Sequence, residues 1–171
     1  MAYQYKLQPL SSEDIDRLVN SAQTFRERLV IYCLLDTGLR VAELAGLMKS
    51  HVQWHERRLV VYHGDGRTKQ RVIPMTERVR MVLTHHFALE NTMNFSVRTV
   101  QHTVRRVAKR AGLTSPVSPH VLRHTFGVTC LRKGMSLATV SRILGHSSLS
   151  TTVSYLDLLP GDIQRDFEDR W

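Results

Sequence analysis

The stretch SPHVLRHTF, Ser118 to Phe126, places a histidine, an arginine and a second histidine within five residues, directly behind a Ser-Pro pair. Ser118 suits the N-cap of a helix and Pro119 its first position, so His120 falls in the first turn with Arg123 three residues later on the same face. Free amides and the positive end of a helix dipole make such a turn a favourable seat for phosphate. Zinc chemistry competes, because His120 and His124 have the i, i+4 spacing of a metal pair. Val121 stands where a metalloprotease helix carries glutamate, however, and no third ligand presents itself, so neither a metal nor another cofactor is expected. On these residues alone, a capping histidine beside a surface arginine is the better reading.

The elements that must position this group are mainly helical. LSSEDIDRLVNSA carries an N-cap serine, early acids and apolar Ile15, Leu18 and Val19, which predicts a short amphipathic helix. FRERLVIYCLLDTG reads as a more buried helix closed by Gly38, and LRVAELAGL as a short one ending near Gly46. RLVVY and QRVIP are the only convincing strands, and the intervening HGDGRTK suits a turn, so one β-hairpin is expected. Helical spacing then recurs in TERVRMVLTHHFALE, SVRTVQHTVRRVAKRAG, SPHVLRHTFGVTCLRKG, SLATVSRILG and STTVSYLDLL. The predicted class is mainly α with a small antiparallel β-sheet, in one compact domain spanning residues 1–171.

Charge narrows the partner. Lys plus Arg number 24 against 15 Asp plus Glu, a formal net charge of +9. No acid occurs between Asn91 and Leu156, whereas Arg98, Arg105, Arg106, Lys109, Arg110, Arg123, Arg132, Lys133 and Arg142 lie there. A solvated surface normally mixes both signs, so this tract favours a polyanion, most often nucleic acid. In the helix from Ser96 to Ala111, Val97, Val100, Val104, Val107 and Ala111 build a buried stripe. Arg98, Arg105, Arg106, Lys109 and Arg110 remain as candidate DNA contacts, on the argument that no nearby acid offsets them. Cys33 and Cys130 sit in apolar helical text and read as buried thiols in a reducing compartment. No signal pattern and no apolar run near the length of a membrane span is present, so a cytoplasmic, soluble protein is expected, associated with the nucleoid when it acts on DNA.

Five separated features now combine: DTGLRVAELAGL (Asp36 to Leu47), the lysine of GRTKQRVIP, HVLRH, LGHSS (Leu144 to Ser148) and a tyrosine nine residues beyond His146. In order, spacing and flanking text they resemble the tyrosine recombinase (phage integrase) family over nearly the whole chain. The resemblance implies a DNA breaking-rejoining catalytic core with Arg40, Lys69, His120, Arg123, His146 and Tyr155 as catalytic residues. Glu43, three residues after Arg40, is placed to orient an arginine or a histidine of the site.

The chemistry so implied is phosphoryl transfer without a metal. Guanidiniums are permanently cationic forks for phosphate, and those of Arg40 and Arg123, with His146, would replace divalent cations around the developing charge. Tyr155 attacks the scissile phosphate to give a 3′-phosphotyrosyl enzyme and a free 5′-hydroxyl, which later reverses the step. His120 is the base that takes the phenol proton, and Lys69 protonates the departing 5′ oxygen. Family members usually carry an N-terminal helical domain as well, and this chain begins where the catalytic domain begins. The segment from about residue 160 to 171, with Ile163, Phe167 and Trp171 at spacings of four, forms a small amphipathic helix that docks either on a neighbouring protomer on DNA or in cis. The implied function is site-specific recombination or integration on double-stranded DNA. The alternatives are relaxation of the type IB topoisomerase kind and a DNA-binding module without a reaction.

Overall fold

The computed structural model describes residues 8–62 and 70–146. By its internal contacts the chain divides into two compact units, Met1–Phe126 and Gly127–Trp171.

The first unit is assembled around one largely buried helix. Ser11 caps α1 (Ser12–Asn20) by accepting from the Asp14 amide at 3.1 Å, and Leu18 is its one fully buried side chain. Thr24 and Glu27 form a capping box at the start of α2 (Phe25–Thr37). Leu29, Val30, Ile31, Cys33, Leu34 and Leu35 bury α2 beyond its first turn, where Phe25, Arg26 and Arg28 are exposed. It therefore packs against α1, α3 (Val41–Ala45), α4 (Glu77–Leu89) and α5 (Val97–Arg110). Each fully buried leucine or isoleucine there contributes roughly 1.5–3 kcal/mol of transfer free energy.

Between α3 and α4 lies the sheet, antiparallel in the order β1-β2-β3. The hairpin of β2 (Arg58–Tyr62) and β3 (Gln70–Pro74) pairs Leu59 with Ile73 and Val61 with Arg71. A two-residue strand, β1 (Val52–Gln53), adds to β2 through Val52 and Leu59; it follows a 3-10 turn at Lys49–His51. Two residues carry no periodicity, which is why β1 has no signal in the sequence.

On α5 the expected stripe forms: Val100, Val104 and Val107 are fully buried, joined by Thr103 and Ala108, with Val97 and Ala111 half-buried. Arg17 of α1 bonds the carbonyls of Ala111 and Gly112 at its end, the latter at 2.7 Å. Next comes α6 (Pro119–Arg132), whose residues up to Phe126 belong to the first unit. In the second unit the described residues hold the end of α6 and α7 (Leu137–Leu144), which buries Val140, Ile143 and Leu144. Cys33 and Cys130 are both buried, and burial raises the Cys33 thiol far above its ordinary range. Among the described residues no helix is long and apolar enough to cross a membrane.

Candidate active site

The turn that ends α2 positions the first arginine. Gly38 closes the helix at φ +61°, a left-handed conformation that a residue with a Cβ adopts only under strain. Asp36, two residues before Gly38, accepts the Arg78 fork and the Thr76 hydroxyl, and the Arg78 guanidinium lies 4.9 Å from the centre of the Tyr32 ring. That network fixes the end of α2 to the start of α4. Arg40 then occupies the N-cap of α3, ahead of the helix rather than within it.

Glu43 organises the cations around this turn. Its Oε2 accepts from the Arg40 amide at 2.7 Å and its Oε1 from Arg40 Nη1 at 3.0 Å. The same carboxylate receives a two-pronged bond from Arg71 of β3, with both contacts at 2.7 Å. Only 4% of the Arg71 side chain is exposed, against 43% for Arg40. Burial acts to raise the Glu43 carboxyl, but the Arg71 and Arg40 hydrogen bonds, with the charges of both guanidiniums, outweigh it and hold the group at about 2. A cavity of about 430 Å³ opens beside this group, lined by Arg40, Glu43, Leu47, His51, Val60 and Tyr62 among others.

The second arginine comes from α6. Ser118 caps that helix, its hydroxyl accepting from the Val121 amide at 3.3 Å and its carbonyl from Leu122 at 3.1 Å. Arg123, 5% exposed, donates through Nη1 to the carbonyl of Gly38, two residues before Arg40. One chain reversal therefore presents Arg40 and receives Arg123. His120 lies one turn before Arg123; partial desolvation, and after it the Arg123 charge, push its imidazole below the usual histidine range. The Leu10 amide bonds the Thr125 hydroxyl at 3.0 Å, tying the segment before α1 to this helix.

Within the second unit, His146 follows Gly145, which ends α7 at φ +65°. The His146 amide reaches back to the Ser141 carbonyl at 3.1 Å, a glycine-dependent helix ending that sets where the histidine leaves the chain. Lys69, Tyr155 and the segment from 160 to 171 lie outside the described residues.

All five basic residues singled out on α5 are exposed, yet they divide into two rows. Arg98, Arg105 and Lys109, with His102, lie opposite the valine stripe at spacings of four, three and four. Arg106 and Arg110 flank the stripe and bind Glu27 of α2, at 3.0 Å from Arg106 Nε and 2.9 Å from Arg110 Nη1. Glu27 is 1% exposed; the Arg110 bond above all, against the effect of burial and aided by the Thr24 and Gln23 amides, lowers its carboxyl to about 2. The premise that no acid offsets this helix is thus corrected, because the acid arrives through space from a helix far earlier in the chain. Arg71 too escaped sequence reasoning. Its signal was phase: it sits two residues from Ile73, on the inward face of β3.

The model of the phage integrase family matches residues 8–161. The chain is 25% identical over 166 residues to tyrosine recombinase XerA of Saccharolobus solfataricus, covering 95% of this chain and 56% of that protein. It is 31% identical over 159 residues to a tyrosine recombinase of Thermosipho africanus, covering 86% and 56%. The chain thus spans little more than half the length of these curated relatives. The crystal structure of XerA recombinase superposes with a TM-score of 0.84 at 30% identity, covering 95% of this chain and 65% of the other. The folds agree, the match runs through the arginine turn, HVLRH and LGH, and this chain belongs to the phage integrase family.

Proposed function

We propose that the protein is a site-specific DNA recombinase that cuts and rejoins strands through a covalent 3′-phosphotyrosyl intermediate, and that residues 1–171 act as its catalytic domain. The observation that carries this reading is the bond from the buried Arg123 guanidinium to the Gly38 carbonyl, beside Arg40. It holds two permanent cations at one turn, as phosphoryl transfer without a divalent ion requires. Glu43 and Arg71 support the assignment, since a charge-paired carboxylate keeps Arg40 oriented while 43% of that side chain stays exposed.

In the proposed step the Tyr155 oxygen attacks phosphorus, the bond to the 5′ oxygen breaks, and the 3′ side of the strand stays on the tyrosine. His120 receives the phenol proton, which its lowered pKa permits because the ring is neutral at pH 7. Lys69 returns a proton to the 5′ oxygen, and His146 donates to a non-bridging oxygen. The released 5′-hydroxyl of a partner strand reverses the sequence and joins the new ends. Double-stranded DNA is the substrate, contacted by Arg98, Arg105 and Lys109, with the Glu27-bound Arg106 and Arg110 behind them. Assembly of protomers on DNA through residues 160–171, and a cytoplasmic location with nucleoid association, complete the proposal.

A duplex carrying a bridging phosphorothiolate at the cleavage position tests it, because the departing thiolate cannot rejoin and the adduct accumulates. Incubation in chelator is expected to give a covalent protein-DNA species that is absent with Tyr155→Phe. Binding of the duplex without adduct would reduce the protein to a DNA-binding module.

A further inference from the structure

A second cluster of cations lies away from Arg40 and Arg123. A cleft of about 310 Å³ opens where the first turns of α2 and α5 meet, lined by Arg26, Arg98, His102 and Arg106 with hydroxyls from Ser96 and Thr99. No carboxylate is among the lining residues, and neither is an aromatic ring other than the imidazole of His102. Hydroxyl and guanidinium donors without a stacking surface suit a phosphodiester rather than a base.

Glu27 fixes one of these cations, Arg106, beside the cleft. Among the described residues, the ion pairs of α5 all run from Arg106 and Arg110 to Glu27. Arg106 gives Nε and Nη2 to that carboxylate, which fixes its side chain at the rim. Arg26, one residue before Glu27, emerges on the cleft side of α2. The cleft also continues into the exposed row through Arg98 and His102. From Arg98 to Lys109 that row runs about 16 Å at 1.5 Å per residue, enough to follow several phosphates of one strand.

We propose that this cleft seats a backbone phosphate of duplex DNA, with Arg26, Arg98 and His102 as donors and Glu27 as the positioning residue that holds Arg106 at the rim. The inference rests on DNA being the partner, and it adds Arg26, His102 and Glu27 to that interface. It also makes α2 a contributor to DNA binding, in addition to its place in the core.

Fluorescence anisotropy of a labelled duplex with the full chain, over a series of salt concentrations, tests the seat. Arg26→Gln is expected to weaken binding and to lower the slope of log affinity against log salt by about 0.9, the value of one lost phosphate contact. Arg80→Gln removes an equal charge from an exposed site paired with Glu77 and is expected to leave the slope unchanged. A parent slope in Arg26→Gln overturns the proposal. In that event, inorganic phosphate moving the His102 ring resonances would identify a small-anion site instead. Adduct formation separates the two readings: adduct with an unchanged Arg26→Gln slope refutes the seat alone, a lowered slope without adduct refutes catalysis alone, and absence of duplex binding refutes both.

Discussion

Removing the charge of Glu43 should cost far more than a surface ion pair does. In the folded protein its carboxyl lies at about 2, against an ordinary 4.5. That depression corresponds to roughly 3 kcal/mol of stability at neutral pH. The figure falls within the roughly 3–5 kcal/mol expected when one partner of a buried pair is removed, and Arg71, with 4% of its side chain exposed, would be left without its carboxylate. Because the folded pKa is the lower one, the stabilisation is complete above the unfolded value of 4.5 and disappears as pH falls towards 2. Urea unfolding of the parent and of Glu43→Gln at pH 7 should differ by about 3 kcal/mol with similar m-values, and at pH 3 by less than half of that. A difference below about 1 kcal/mol at pH 7, or one that does not change down to pH 3, would refute the argument that Arg71 and Glu43 form a buried charge pair.

Glu27→Ala removes a buried carboxylate with two guanidinium partners and two backbone amide donors, and should cost about 2–3 kcal/mol by chemical denaturation; a loss under about 0.5 kcal/mol would mean the cluster is ornamental. Arg123→Lys keeps the charge but loses the planar fork, so adduct formation should fall by about 100-fold or more while the far-ultraviolet spectrum is retained; parent-like rates would remove Arg123 from the chemistry. With His120 as base, the acid limb of the cleavage rate should fall below the ordinary histidine value of 6.5, since the lowered pKa keeps the ring neutral further into acid. In His120→Gln that limb should vanish and the rate drop by about 100-fold or more, and an unchanged profile would reassign the base.

The sequence makes the helices legible where one face or all faces are apolar. The run from Phe25 to Thr37 and the stripe of Val100, Val104 and Val107 become α2 and the buried side of α5. The first turn of α6 was equally readable, because a serine cap followed by proline determines where His120 and Arg123 fall. Glu43 reaches Arg40 across three residues, a local relation that spacing can express. Arg71 was harder: Val72 and Arg71 alternate, and only the packed sheet decides that the arginine faces inward and the valine outward. The acid-free tract misled on Arg106 and Arg110 for a related reason. A count along the chain measures neighbours in sequence, whereas Coulomb's law acts between neighbours in space, and Glu27 is one of the latter.

The two rows of α5 have a practical corollary for retargeting. A library that randomises Arg98, His102, Arg105 and Lys109 samples the solvent-facing ridge alone, and its members should stay folded because, among the described residues, none of those side chains bonds a neighbouring element. Diversity introduced at Arg106 or Arg110 would instead select first for chains that survive losing the Glu27 latch.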